Sequence, residues 1–68
     1  MKVIVNGEQI ALLEGDSFVS LLTEYGYDLE TRGIALALNG EVIPRGSWAE
    51  TKLSNGDQVE LVRAVQGG

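Results

Sequence analysis

FVSLLTEYGYDLETRGIALALNG, residues 18–40, contains the change of period that decides the fold. Phe18, Leu21, Leu22 and Tyr25 recur at the i, i+3, i+4, i+7 spacing of one helical stripe, which predicts a helix over about 17–25 with a single apolar face. Asp16 or Ser17 stands where a cap is needed. Gly26 stands where a left-handed residue can end the helix without a Cβ clash. Further on, Ile34-Ala35-Leu36-Ala37-Leu38 alternates large with small. That is a strand with its large side chains toward the helix and its alanines on the opposite face. Asn39-Gly40 then turns the chain.

Toward the N-terminus, Lys2-Val3-Ile4-Val5 is β-rich and runs into Asn6-Gly7, a two-residue hairpin signal. The return strand, about 8–13, puts Ile10 and Leu12 on the face shared by Val3 and Val5. Toward the C-terminus, Glu41-Val42-Ile43 is short, and Pro44 cannot donate to a ladder, so this piece belongs at a sheet edge. A helical turn is expected around Ser47-Trp48-Ala49, with Trp48 closing one end of the core. Asn55-Gly56-Asp57 turns the chain into a last strand, 58–62, with Val59 and Leu61 inward and Glu60 and Val62 outward. Gly33 and Gly46 read as loop residues. The order of elements is strand, strand, helix, strand, short strand, strand. This is the α+β order of a ubiquitin-like β-grasp, with a mixed four- to five-stranded sheet packed on one main helix. Adjacency of the first and last strands is expected from that fold class rather than from spacing. Residues 1–64 form the expected domain and 65–68 a flexible C-terminal tail.

With 68 residues, no cysteine and no histidine, the chain holds one small core and has neither a disulfide nor a Cys/His zinc site to reinforce it. The longest apolar run, 34–38, is far short of the roughly 20 residues of a membrane-spanning helix. No signal-peptide pattern opens the chain, so a cytoplasmic location is the expectation. Ten acidic residues against five basic ones give a net charge of −5. Such a surface repels phosphate backbones, which argues against nucleic acid as a partner.

The same absences bear on chemistry. Without histidine or cysteine the commonest general base, the commonest soft nucleophile and most transition-metal ligands are missing, which argues against self-contained catalysis. Ser17, Ser20, Ser47 and Ser54 have no imidazole to activate them and fit caps, turns or solvent-facing positions. Glu14/Asp16 and Asp28/Glu30 lack the ligand spacing of a calcium loop and read as solvated loop charge. Most glycines fall at turns or caps, and no phosphate-loop pattern occurs.

Gly67 and Gly68 have no turn to make and no helix to end. By average glycine usage a terminal pair arises by chance in roughly 0.5% of chains. A frayed end or a cloning remnant is the bland reading. The functional one is that a tail without Cβ atoms threads through a narrow channel and presents its α-carboxylate to a nucleotide in a partner enzyme.

Across nearly the whole chain the sequence resembles the ThiS family, the bacterial sulfur carriers of thiamin biosynthesis. The resemblance is carried by Val5-Asn6-Gly7, by Leu38-Asn39-Gly40-Glu41-Val42-Ile43-Pro44-Arg45, by Trp48, Leu53 and Gly56-Asp57, and by the ending Val65-Gln66-Gly67-Gly68. It implies a carrier that is a co-substrate rather than an enzyme and binds no cofactor or metal of its own. A ubiquitin-activator-like (ThiF-type) enzyme would use ATP to adenylate Gly68. Sulfur from a donor enzyme would then replace one oxygen to give a thiocarboxylate. A ThiG-type thiazole synthase would consume it. Gly67 carries over as the flexible neighbour that threading requires, and Pro44 and Trp48 are assigned to folding. Arg45 is open between a structural ion pair and a partner contact, while Glu60 and Val62 are expected to face a docking partner. Three alternatives stand beside this reading: the small subunit of molybdopterin synthase, a ubiquitin-like modifier joined to lysines through Gly68, and a β-grasp interaction module.

Overall fold

The computed structural model describes residues 1–64. The expectations placed on 65–68, a tail segment ending in Gly67 and Gly68, lie outside those residues. Strands β1 (Lys2–Val5) and β2 (Glu8–Ala11) form the first hairpin, followed by helix α1 (Phe18–Glu24) and strands β3 (Ile34–Leu38) and β4 (Glu41–Ile43). A 3₁₀ helix (Arg45–Glu50) then leads to the last strand, β5 (Gln58–Arg63). The five strands form one sheet in the order β2-β1-β5-β3-β4. β5 runs parallel to β1 and antiparallel to β3, so the mixed sheet and the adjacency of first and last strands are both present. The short strand before Pro44 is an edge, as expected.

Both Asn-Gly pairs adopt the positive φ that a two-residue hairpin needs, 51° and 86° at Asn6 and Gly7 and 50° and 88° at Asn39 and Gly40. The first turn fixes the register so that Val3 faces Ile10 and Val5 faces Glu8, which sends Val3, Val5 and Ile10 to the helix side. Ser17 caps α1, its hydroxyl accepting from the Val19 amide. At the other end the amides of Gly26 and Tyr27 donate to the carbonyls of Thr23 and Leu22, the paired bonds of a Schellman ending. Phe18, Leu21 and Leu22 are wholly buried against Val3, Val5, Leu36 and Val59. Each such side chain contributes about 1.5–3 kcal/mol by leaving water. Trp48 closes one end of this core, with its indole N–H donating to the Ile43 carbonyl at 2.8 Å.

The helix expected over about 17–25 runs from Phe18 to Glu24 with Ser17 and Tyr25 as its caps, and three further features differ from the sequence reading. β2 is regular strand only to Ala11, although Leu12 exchanges hydrogen bonds with Met1, its amide donating to the Met1 carbonyl at 2.9 Å and the Met1 amine to the Leu12 carbonyl at 2.7 Å. The Leu13 amide turns instead to the Asp16 carboxylate at 2.9 Å. Leu12 still reaches the core, while Leu13 is left exposed. Gly46 lies inside the 3₁₀ helix and not in a loop, since Pro44 supplies a pre-set φ at the helix start and the Ser47 amide bonds back to its carbonyl. β5 continues one residue further than expected because Arg63 pairs with Ile34. No helix among the described residues is long and apolar enough to cross a membrane.

Leu21 has no exposed surface and lies at the centre of the helix contact. Leu21→Ala should lower stability by about 2–5 kcal/mol, read as a shift of the urea midpoint. A chain of this size has only about 3–10 kcal/mol in total, so the variant is expected to be largely unfolded near physiological temperature.

Candidate functional site

The strand that leads to the C-terminus occupies the middle of the sheet. From Val59 to Arg63 one edge of β5 is laddered to β3, from Leu38↔Val59 to Ile34↔Arg63. Its other edge is laddered to β1 only as far as Val5↔Val59, because β1 ends in the first hairpin. Asn6 takes over from there. Its side-chain carbonyl accepts from the Leu61 amide and its NH₂ donates to the Leu61 carbonyl, both at 3.0 Å, so the side-chain amide stands in for one more residue of strand. At the opposite end of β5 the Asn39 side chain accepts from the Gln58 amide at 2.9 Å and donates to the Asp57 carboxylate at 3.1 Å. The two asparagines, read from sequence only as turn residues, are therefore also clamps on β5. The signal available was the choice of Asn over Asp or Gly, since only Asn offers both a donor and an acceptor.

The last described link is at Gly33. Its carbonyl accepts from the Ala64 amide at 2.6 Å, and its φ of +77° is one that side-chain-bearing residues rarely adopt. A Cβ at this position would also stand 3.1 Å from the Ala64 carbonyl oxygen. Gly33 thus fixes where the chain leaves the sheet, a role that its loop position did not disclose.

Arg45 holds the loop behind that exit. Its Nη1 donates to the Leu29 carbonyl and its Nη2 to the Thr31 carbonyl at 2.6 Å, while the guanidinium sits 4.6 Å from the Trp48 ring centroid. The structural role left open for this residue is thus bonding to two carbonyls and stacking, not an ion pair. Within the same loop the Asp28 carboxylate accepts from the Glu30 amide and the Thr31 hydroxyl. Nearby, burial pushes the Tyr25 phenol above the ordinary tyrosine range, and the Glu8 carboxylate adds to the shift.

Glu60 and Val62 point away from the helix, as the alternation required. Val62 is 57% exposed and lies beside Ala35, and Val42, 70% exposed, lies beside Ala37, whose other neighbour is Glu60. Small alanines between two exposed valines leave a shallow apolar face uncovered by any element of the described chain. Arg45 is not part of it, being turned to the loop of residues 27–33.

A central C-terminal strand, a single helix on one sheet face and an open apolar surface on the other define a ubiquitin-like β-grasp domain. The chain belongs to the ThiS family, whose model matches residues 3–68. It is 31% identical to the sulfur carrier protein ThiS of Escherichia coli over 68 residues, with both chains covered in full. It is also 34% identical to a thiazole synthase of Paramagnetospirillum magneticum, of which it spans only 20%. Among solved structures it resembles the crystal structure of the thiamine biosynthesis protein ThiS of Geobacter metallireducens, with a TM-score of 0.80, 28% identity and both chains covered completely. The solution structure of a thiamine biosynthesis protein from the same organism matches at a TM-score of 0.78 and 28% identity, over 100% of this chain and 88% of that one.

Two substitutions test the exit geometry. Gly33→Ala should cost about 1–3 kcal/mol through the positive φ and the contact with Ala64. It should also speed hydrogen exchange at the Ala64 amide, and an unchanged rate there would mean that Gly33 does not hold the exit. Arg45→Lys should lose about 1–2 kcal/mol in urea unfolding, because an ammonium cannot span two carbonyls and stack on the indole at once.

Proposed function

We propose that the chain is a non-catalytic sulfur carrier of thiamin biosynthesis whose working group is the Gly68 carboxylate. An ATP-dependent adenylating enzyme of the ubiquitin-activator type receives the C-terminal residues. A carboxylate oxygen attacks the α-phosphate of ATP, pyrophosphate leaves, and Gly68 becomes an acyl-adenylate. Sulfide-level sulfur from a donor enzyme then displaces AMP, giving the thiocarboxylate. A thiazole synthase accepts the sulfur, and the carboxylate is regenerated. The ATP belongs to the activating enzyme, and the carrier works beside these enzymes in the cytoplasm.

What carries this reading is the family match itself, which runs through the terminal Gly67-Gly68, taken with a central strand held in register to within a few residues of that end. The likeness to part of a thiazole synthase supports that enzyme class as the sulfur acceptor. The surface around Val62, Ala35 and Val42 suits the activating enzyme, because it flanks the strand that leads to the C-terminus and offers apolar area not claimed by the core. Glu60 lies in the same face and gives it one charged contact point.

The protein with an untagged C-terminus, incubated with activating enzyme, ATP and a sulfur donor, should gain the mass difference of one oxygen exchanged for sulfur. Attachment through a lysine isopeptide would instead mark a modifier, and no change with competent enzymes would favour an interaction module. Deleting Gly68 should abolish the exchange and leave thermal unfolding unaltered, since the last strand among the described residues ends at Arg63. Val62→Glu should keep the fold and slow adenylation, whereas wild-type activation kinetics in that variant would remove the sheet face as the docking surface.

A further inference from the structure

The charges of this acidic protein are sorted along its length. All three arginines, Arg32, Arg45 and Arg63, gather where the chain leaves the sheet, and both lysines lie elsewhere. Arg63 is the last residue of β5, paired with Ile34, and its guanidinium lies 5.5 Å from the Tyr27 ring centroid. Arg32 precedes Gly33, the residue bonded to Ala64, and shares a concavity with Leu29, Glu30 and Arg45. Together with the loop 27–33 these arginines make up three of the five cationic side chains but only two of the ten acidic ones, Asp28 and Glu30. Asp28 is already engaged in its own turn. The rest of the molecule carries eight carboxylates against Lys2 and Lys52.

Arg45 is consumed by the Leu29 and Thr31 carbonyls and acts as a positioning residue for the loop. Arg32 and Arg63 are different. Both are exposed, and among the described residues neither guanidinium donates a hydrogen bond. Stacking over Tyr27 orients Arg63 while leaving its N–H edge open. A planar fork held in place, as at Arg63, matches carboxylates better than a mobile ammonium does.

Building on the carrier reading, we propose that Arg32 and Arg63 form a second docking surface that receives acidic side chains of the activating enzyme at the mouth of the channel entered by residues 65–68. If residues 65–68 are extended within that channel they span about 14 Å, longer than an arginine side chain, so the nucleotide that meets Gly68 then lies out of reach of these guanidinium groups. The arginines therefore address the protein around the entrance and not the phosphates. The acidic remainder of the carrier is repelled by the same acidic rim. Only an approach with the C-terminal end first is favoured, and charge thereby orients the encounter.

The test is ATP–pyrophosphate exchange by the activating enzyme at varied carrier concentration and ionic strength. Arg32→Glu/Arg63→Glu should raise the KM for the carrier by about tenfold or more at low salt, leave kcat near the unaltered value, and flatten the salt dependence. Arg32→Gln/Arg63→Gln should show a smaller rise, with thermal unfolding confirming that each variant is folded. Lys2→Glu/Lys52→Glu makes the same change in net charge away from the exit and should leave KM within about twofold, because screening confines the effect to nearby charges. An unchanged KM and salt slope in the arginine variants would overturn the proposal. So would an equal rise in the lysine variant, which would mean that only net charge matters. Absence of exchange with the unaltered protein would instead overturn the carrier reading on which this surface rests.

Discussion

The arrangement depends on one constraint: the strand nearest the C-terminus lies between two others. A terminal strand at a sheet edge would fray, and its exit direction would vary with the fraying. Here β3 ladders one side of β5 through Arg63, while β1 and then the Asn6 side chain hold the other through Leu61. The core is built against the same strand, since Val59 packs with Phe18, Leu21, Leu22 and Leu36. Stability and the point at which the chain leaves the sheet are thus one property of the molecule.

That economy fits a chain with few resources. There is no disulfide, no imidazole and, among the described residues, a core of eleven buried hydrophobic side chains, so hydrogen bonds at the ends of elements carry much of the definition. Asn6, Asn39, Gly33 and Arg45 each join segments distant in sequence, and three of the four act on β5 or the residue after it. The two sides of the exit are chemically unlike. The open sheet face offers Val62 and Val42 among alanines, and the loop side offers guanidinium groups on an otherwise acidic body. A partner that reads both is told the orientation of the carrier as well as its identity.

The elements were legible because their signals were local and periodic. The helical stripe from Phe18 to Tyr25, the alternation in Ile34–Leu38 and the Asn-Gly turns all have their causes within a few residues. The inward or outward direction of Val59, Glu60, Leu61 and Val62 followed from the two-residue period alone. What escaped was non-local. That Asn6 would bond to Leu61, Gly33 to Ala64, and Arg45 to Leu29 and Thr31 depends on how distant segments meet, and no spacing rule encodes it. The end of β2 escaped because it depends on a local turn in which the Asp16 carboxylate accepts from the Leu13 amide.

The central claim is that the folded part serves as a handle and that the chemistry belongs to one carboxylate at the end of the chain. Fragmentation mass spectrometry of the protein recovered from a reaction with activating enzyme, ATP and sulfur donor tests it most directly. The expected result is a sulfur-for-oxygen exchange confined to fragments containing Gly68. The same mass change located on any fragment within 1–67, or thiazole formation supported equally well by protein lacking Gly68, would contradict it.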